Sequence, residues 1–305
     1  MSRALCLASA LAAVAAAGQT PPRFASEVDV VELDAAVTRD GRPLRGLVAA
    51  DFELRDTGVA QTIELVSRER ARAQAILLLD TSQSVAGEKL QQLATAAKAF
   101  LEGLAPDDSA TLVAFSYRTR LLGEVGQPPA SASAGLKRLS AAGPTALVDA
   151  VAAATALADP RRGRPVLLVF SDGDDRLSWL PEAHVIDAAR QADVVIHAVG
   201  FTPKPAAAQD RMSPLPNQKL RLAGSPDFLE LLTRATGGRL WYADAPQGLG
   251  AAFQLVLEEV RERYLLRYEP TGVPRGGWHP VEVRVRRGGL TVRCRPGYQA
   301  VSAVP

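Results

Sequence analysis

The chain has 305 residues, of which 47% are hydrophobic and 22% charged, and its formal net charge is +2. This composition excludes wholesale disorder and has room for one large domain with a smaller one beside it. A nucleic-acid binder carries a basic stripe, and no block of like charges stands out here. Arginine groups such as Arg161-Arg162 and Arg284 to Arg287 read as solvated turns and strand faces.

The first residues form a targeting segment. Arg3 supplies a positive start, an apolar run follows from Leu5 to Ala17, and Ala15-Ala16-Ala17 matches the small-x-small pattern of signal peptidase, with cleavage just after Ala17. The run is shorter than the roughly 20 residues a bilayer requires, and nothing later is long enough. The expectation is a signal peptide over residues 1–17 and an exported protein, periplasmic or secreted, with no transmembrane segment in the mature chain. Cys6 leaves with the signal segment, so Cys294 has no internal partner. It reads as a small buried hydrophobe on a strand, the alternative being a cross-link between two chains.

From residue 27 the pattern is β. Glu27 to Val37 is rich in valine and ends at an Asp40-Gly41 turn; Leu47 to Leu54 and Gln61 to Val66 continue it across Thr57-Gly58. The character changes at Ala75-Ile76-Leu77-Leu78-Leu79, a continuous apolar run of the kind found in strands buried on both faces of a parallel sheet. Similar runs recur at Ala110 to Phe115, Val166 to Phe170, Val194 to Val199 and Arg239 to Tyr242. Helical patterns at about Val85 to Leu104, Ser133 to Leu139, Thr145 to Leu157, Glu182 to Gln191, Pro226 to Ala235 and Gln247 to Arg263 fill the gaps. Strand-helix alternation of this kind predicts an α/β fold with a doubly wound, mostly parallel sheet flanked by helices. Thr202 to Pro216 is proline-rich and reads as a surface loop.

Beyond Tyr264 the β pattern returns: Tyr264 to Tyr268, then His279 to Arg286 with Val281, Val283 and Val285 alternating with charged residues. A Gly288-Gly289 hairpin turn then leads into Leu290 to Arg295. Neither β flank, 27–70 or 263–300, is long enough to bury a core alone. The expectation is that they combine into one small β-sandwich with the α/β domain, 72–262, inserted between them.

The chemistry concentrates at strand ends. The first apolar strand runs into Asp80-Thr81-Ser82-Gln83-Ser84, the third into Ser171-Asp172-Gly173, and Gly143-Pro144-Thr145 starts a helix between them. In doubly wound sheets these carboxyl ends open on one crevice. Two serines, a threonine and two aspartates offer oxygen alone, which suits a hard cation such as magnesium, with manganese or calcium as alternatives. The two carboxylates balance a divalent charge, and the neutral hydroxyls leave the ion able to take one more anionic oxygen.

Asp80-x-Ser82-x-Ser84, Thr145 and Asp172 resemble the metal-ion-dependent adhesion site of von Willebrand factor type A (VWA) domains, in order and in placement. The resemblance covers about residues 72 to 262. It implies that Ser82 and Ser84 bind the metal directly and that Thr145 is sensitive to the state of the site. Asp80 and Asp172 lie mainly behind the metal-bound shell. It further implies non-enzymatic binding of a protein or cell-envelope partner that completes the shell with an acidic side chain. The flanks are similar to those of the bacterial exported VWFA-related subfamily, through GLVAADFELRD at Gly46 to Asp56 and through Tyr264-Leu265-Leu266 with Arg295-Pro296-Gly297-Tyr298.

Plainer readings stand beside these. Asp80 and Ser84 could simply cap the following helix. Asp174 and Asp175 are extra ligands or an acidic turn, the latter preferred. His197 reads as a packed core residue, His279 and His184 as surface. Trp179-Leu180 is either an exposed contact patch or packed against a helix. Two competing functions remain. One is a serine hydrolase using Ser82 or Ser84, with His184 as base and Asp172 orienting it, although the G-x-S-x-G elbow is missing. The other is a structural scaffold whose metal only stabilises it.

Overall fold

The computed structural model describes residues 30–67, 72–171, 175–201, 228–243 and 245–300. The predicted signal segment, Asp172, Asp174 and the proline-rich loop lie outside the described residues. No helix among those described is long and apolar enough to cross a membrane.

The N-terminal flank supplies β1 (Val31–Arg39), β2 (Arg42–Pro43), β3 (Phe52–Asp56), β4 (Val59–Gln61) and β5 (Ile63–Ser67). Its tight turns have the backbone their residues suggest: Asp40 and Gly41 have φ of 51° and 78°, and Thr57 and Gly58 have 47° and 80°. Two positive φ values in succession match the right-handed twist of paired strands.

The central region alternates as predicted: β6 (Ala73–Asp80), α1 (Glu88–Gly103), β7 (Ser109–Phe115), β8 (Thr119–Leu121), α2 (Pro129–Ala132), α3 (Leu147–Thr155), β9 (Arg164–Phe170), α4 (Glu182–Gln191), β10 (Val195–Phe201), α5 (Phe228–Ala235), β11 (Leu240–Ala243) and α6 (Leu249–Arg261). These strands form one six-stranded sheet in the order β11-β10-β9-β6-β7-β8, parallel throughout except for the antiparallel edge pair β7–β8. The helical pattern of Ser133 to Leu139 becomes a 3-10 stretch, Ser133–Arg138.

Every residue of β6 is buried because the sheet is covered on both faces. Leu77 and Leu79 meet α1 and α6 through Leu93, Phe100, Phe253 and Val256. Ile76 and Leu78 meet α3, α4 and α5 through Val151, Val185, Ile186 and Leu232. The period of two along the strand sorts its side chains between the two layers. Chain order runs outward from β6 to β7 on one side and through β9, β10 and β11 on the other. The reversal lies between β6 and β9, where doubly wound sheets open their crevice.

The C-terminal flank adds β12 (Tyr264–Tyr268), β13 (Gly277–Val285), β14 (Thr291–Arg293) and β15 (Gly297–Ala300). One sheet has the order β14-β1-β12-β5 with β2 on β1, the other β15-β13-β3-β4, so both flanks contribute strands to both sheets. Leu33, Phe52, Leu54, Tyr264, Leu266, Val281 and Val283 fill the space between. The fold is thus an α/β domain with a β-sandwich built from the two flanks.

Two sequence expectations fail here. Gly288-Gly289 does not make a hairpin: β13 pairs with β3 and β15, while β14 crosses to the other sheet and pairs with β1. His279 is not on the surface but 2% exposed. The alternation that turns Val281 and Val283 inward carries His279 inward too. There it meets the fully buried Asp56, Nδ1 to Oδ1 at 3.0 Å. The hydroxyls of Tyr268 and Tyr298 donate to Asp56 Oδ2 at 2.9 and 2.8 Å. Burial first, and then the bond to Asp56, push both phenols above their ordinary pKa, so they keep their protons. One carboxylate from the first flank thereby ties together three strands of the second.

A second polar cluster joins the sandwich to the α/β domain. Glu259, at the end of α6, pairs with Arg263 at 3.4 Å and with Arg293 of β14 at 2.5 Å; the side chains of Glu259 and Arg263 are 4% and 3% exposed. Arg263 also donates to the carbonyls of Asp34 and Gly237, both at 3.2 Å. Burial opposes ionisation of Glu259, but His197, Arg263 and Arg293 outweigh it and hold its pKa low. His197 is buried as expected, accepts the Arg239 N–H at Nδ1, and has its pKa pushed down by burial to about 4. Cys294 packs against the sandwich core, and burial pushes its thiol up to about 11, where it stays protonated and unreactive at neutral pH.

Two predictions follow from this cluster. Glu259→Gln leaves two guanidiniums facing each other without a counter-charge, which should cost about 3 kcal/mol; a urea unfolding midpoint unchanged from wild type would contradict it. An exposed imidazole titrates near about 6.5, so His197 binds its proton more weakly in the folded state. Its contribution is intact above about pH 6.5 and drains as pH falls toward 4, by about 3 kcal/mol in all. Other groups also take up protons between about pH 6.5 and 4.5, so the histidine's share is read as the difference between wild type and variant over that window. His197→Gln should flatten that slope.

Candidate metal centre

The polar residues predicted from sequence gather at the β6/β9 switch point. Strand β6 stops at Asp80, which has no solvent exposure. Its Oδ1 accepts the backbone N–H of Ser82 at 2.8 Å, and its Oδ2 accepts the hydroxyl of Ser171 at 2.8 Å. Ser171 directly follows β9 and is also fully buried, so one carboxylate pins together the ends of two neighbouring strands. Both carboxylate oxygens act as acceptors, as the ionised form requires.

After Asp80 the chain turns through a 3-10 segment, Gln83–Val85. Ser82 is 1% exposed, Ser84 lies at the surface, and their hydroxyl oxygens are 3.0 Å apart. Helix α1 begins at Glu88 with Gly87 at its N-cap and no side-chain cap. Asp80 and Ser84 therefore do not cap it, and that plainer reading lapses.

The Thr145 loop is stitched to the serine loop through the backbone. Gln83 N–H donates to Gly143 O at 2.8 Å and Ala142 N–H to Thr81 O at 2.9 Å. Thr81 is itself fastened to the end of β7, its N–H and hydroxyl both donating to Phe115 O. Gly143 has φ +75°, and a Cβ there would stand 2.5 Å from the Tyr117 ring, so only glycine lets this loop approach. Thr145 is 4% exposed.

The loop after β9 is tied to the same helix start. Arg176 and Leu177 N–H both donate to Thr145 O at 3.0 Å. Asp175 Oδ1 accepts Leu147 N–H from the first turn of α3 at 3.0 Å and the Ser178 hydroxyl at 2.9 Å. Asp175 is therefore neither a loose acidic turn nor a spare ligand: it caps α3 from a neighbouring loop. Asp149, in the same first turn of α3, accepts the N–H of Trp179 and Leu180 in return. Neither role was read from the sequence, because each pairs a carboxylate with a backbone group distant along the chain.

The donor set suits a small, hard divalent cation. Octahedral magnesium sits about 2.1 Å from its oxygens, which puts neighbouring ligands about 3.0 Å apart, and the serine hydroxyls have that spacing. Asp80, with its oxygens engaged by Ser82 and Ser171, is suited to act from behind the serines, as ligand-orienting carboxylates do. Among the described residues no cluster of three or more His, Cys, Asp or Glu side chains could hold a softer metal. Ser82 has Ser84 as its hydroxyl partner, and His184 is an exposed residue in the first turn of α4. Among the described residues no hydrogen bond joins His184 to Ser82 or Ser84, the contact a serine nucleophile uses.

Residues 75–174 match the family profile of the von Willebrand factor type A domain. Among solved structures, a von Willebrand factor type A protein from Catenulispora acidiphila is 14% identical with a TM-score of 0.49, over 92% of this chain and 75% of that one. An aerotolerance-related membrane protein from Bacteroides fragilis is 14% identical with a TM-score of 0.46, over 62% of this chain and 98% of the other. Proximal thread matrix protein 1 of the mussel byssus, in a structure with a zinc-occupied MIDAS motif, is 14% identical with a TM-score of 0.48, over 61% of this chain and 47% of its own. No curated protein matches the sequence. Over residues 75–174, about a third of its length, the chain is thus similar to a von Willebrand factor type A domain.

Proposed function

We propose that this chain is an exported, non-enzymatic binding protein that takes a carboxylate-bearing partner through a divalent cation. Ser82 and Ser84 hold the cation directly, with Thr145 at its edge and Asp80 and Asp172 supplying the balancing charge. The spacing of the two serine hydroxyls, 3.0 Å, over the buried Asp80 carries the reading. Asp172 follows Ser171, whose hydroxyl already reaches Asp80, which supports its place in the set. Magnesium fits best, since it prefers few protein ligands and keeps water or an incoming oxygen in the remaining positions. When bound, the cation offers an electrophilic position to an anionic oxygen, which suits an Asp or Glu side chain on a protein or cell-envelope partner.

What this chain contributes is preorganisation. Ser82 is held by Asp80, Thr81 by β7, and Thr145 by the loop after β9, so little ordering remains to be done when a ligand arrives. A hydrolytic role would need a base at the serines and has no such support. Export rests on the segment ending at Ala17.

Isothermal calorimetry on the mature chain should show magnesium or manganese binding to one site, and Asp80→Ala should abolish it. Ser171→Ala keeps every direct ligand but releases Asp80, and should weaken binding by about 10- to 100-fold. A folded wild-type chain that takes up no divalent ion would end this proposal.

A further inference from the structure

A tryptophan stands on the rim of this site in a form that folding alone does not explain. Trp179 is 92% exposed, the largest exposure among the large hydrophobic residues described, and Leu177 and Leu180 flank it at 45% each. Tryptophan is on average a well-buried residue. Its loop is also clamped: Trp179 N–H donates to the Asp149 carboxylate at 3.1 Å and Leu180 N–H at 2.9 Å. The Ser178 hydroxyl accepts the Asp149 N–H at 3.1 Å, and Leu177 N–H is held by Thr145 O at 3.0 Å. The indole is thus presented by a backbone fixed to the same helix start that holds Thr145. On the far side of the Gly143 turn stands Tyr117, 49% exposed, with the exposed Arg118 guanidinium 5.2 Å from its ring centroid.

We propose that Trp179, with Leu177 and Leu180, is the apolar anchor of the binding face, and that the partner is a protein segment carrying an Asp or Glu close in sequence to a large apolar side chain. This rests on the metal reading above. Charge complementarity favours an acidic occupant. Of the carboxylates described around the site, Asp149 and Asp175 are turned onto backbone N–H groups and Glu88 accepts from the Gln247 amide, whereas Lys89 donates to the Ser84 carbonyl at 3.2 Å and the exposed Arg118 stands over Tyr117. A preformed aromatic that loses no loop entropy on binding has the character of an interface hot spot.

The test is panning of a random linear peptide phage library on the full chain in magnesium, followed by affinity measurement with the synthetic consensus peptide. Recovered peptides should pair Asp or Glu with a nearby large apolar residue. Trp179→Ala should bind that peptide at least about tenfold more weakly while its calorimetric magnesium binding matches wild type. Equal affinity of wild type and Trp179→Ala would overturn the anchor and leave the metal reading standing. So would acidic peptides without an apolar neighbour, or no magnesium-dependent peptide from a chain shown to hold magnesium. Peptides lost in Trp179→Ala but retained in excess chelator and in Asp80→Ala would instead overturn the metal reading alone.

Discussion

At the end of the central strand lies a carboxylate with no solvent exposure. Taking such a charge out of water costs several kcal/mol unless donors replace the lost hydration. For Asp80 the replacements come from Ser82 N–H, which bends the chain back over the strand end, and from the Ser171 hydroxyl, which belongs to the neighbouring strand. Meeting the electrostatic demand of this one group therefore fixes the turn carrying both serines and the lateral position of the β9 loop. The other loops attach to that pair by backbone bonds, from Gln83 to Gly143 and from Arg176 and Leu177 to Thr145. The described loops of the candidate centre are consequently tied to the sheet by hydrogen bonds.

The same device, a buried carboxylate satisfied from several elements at once, recurs twice away from the site. Asp56 gathers Tyr268, Tyr298, Thr57 and His279, and so binds the N-terminal flank to the C-terminal one. Glu259 gathers Arg263 and Arg293, and so binds α6 to the sandwich. Apolar packing supplies most of the favourable energy of burial but little direction. These carboxylates select one arrangement of flanks and domain, since any other would strand a charge in the interior.

Rigidity has a consequence for binding. An interface assembled from loops that must first be ordered loses affinity to that ordering. Here Asp149 and Asp175 are used as struts: one holds the Trp179 backbone, the other caps α3 beside Thr145. The acidic groups nearest the described rim are thereby bonded to the protein's own backbone.

What the sequence determined by itself was whatever depends on local periodicity and on order along the chain. The run from Ala75 to Leu79 is apolar because both faces of β6 are covered, and Asp80, Ser82 and Ser84 follow it at a spacing that a single turn can gather. Strand-helix alternation then placed Thr145 and Ser171 at the same sheet edge. Only the tertiary structure decided which strands pair across long separations and which side chains meet there. The Gly288-Gly289 turn looked like a hairpin, yet β14 crosses to β1, because pairing answers to the core it must cover and not to the turn alone. His279 looked like surface, yet its place in an alternating strand carried it inward to Asp56. Trp179 could have packed or protruded, and the outcome hung on Asp149, 30 residues earlier in the chain. Contacts of that range leave no periodic trace, since they are set by the geometry of the folded sheet and not by neighbours in sequence.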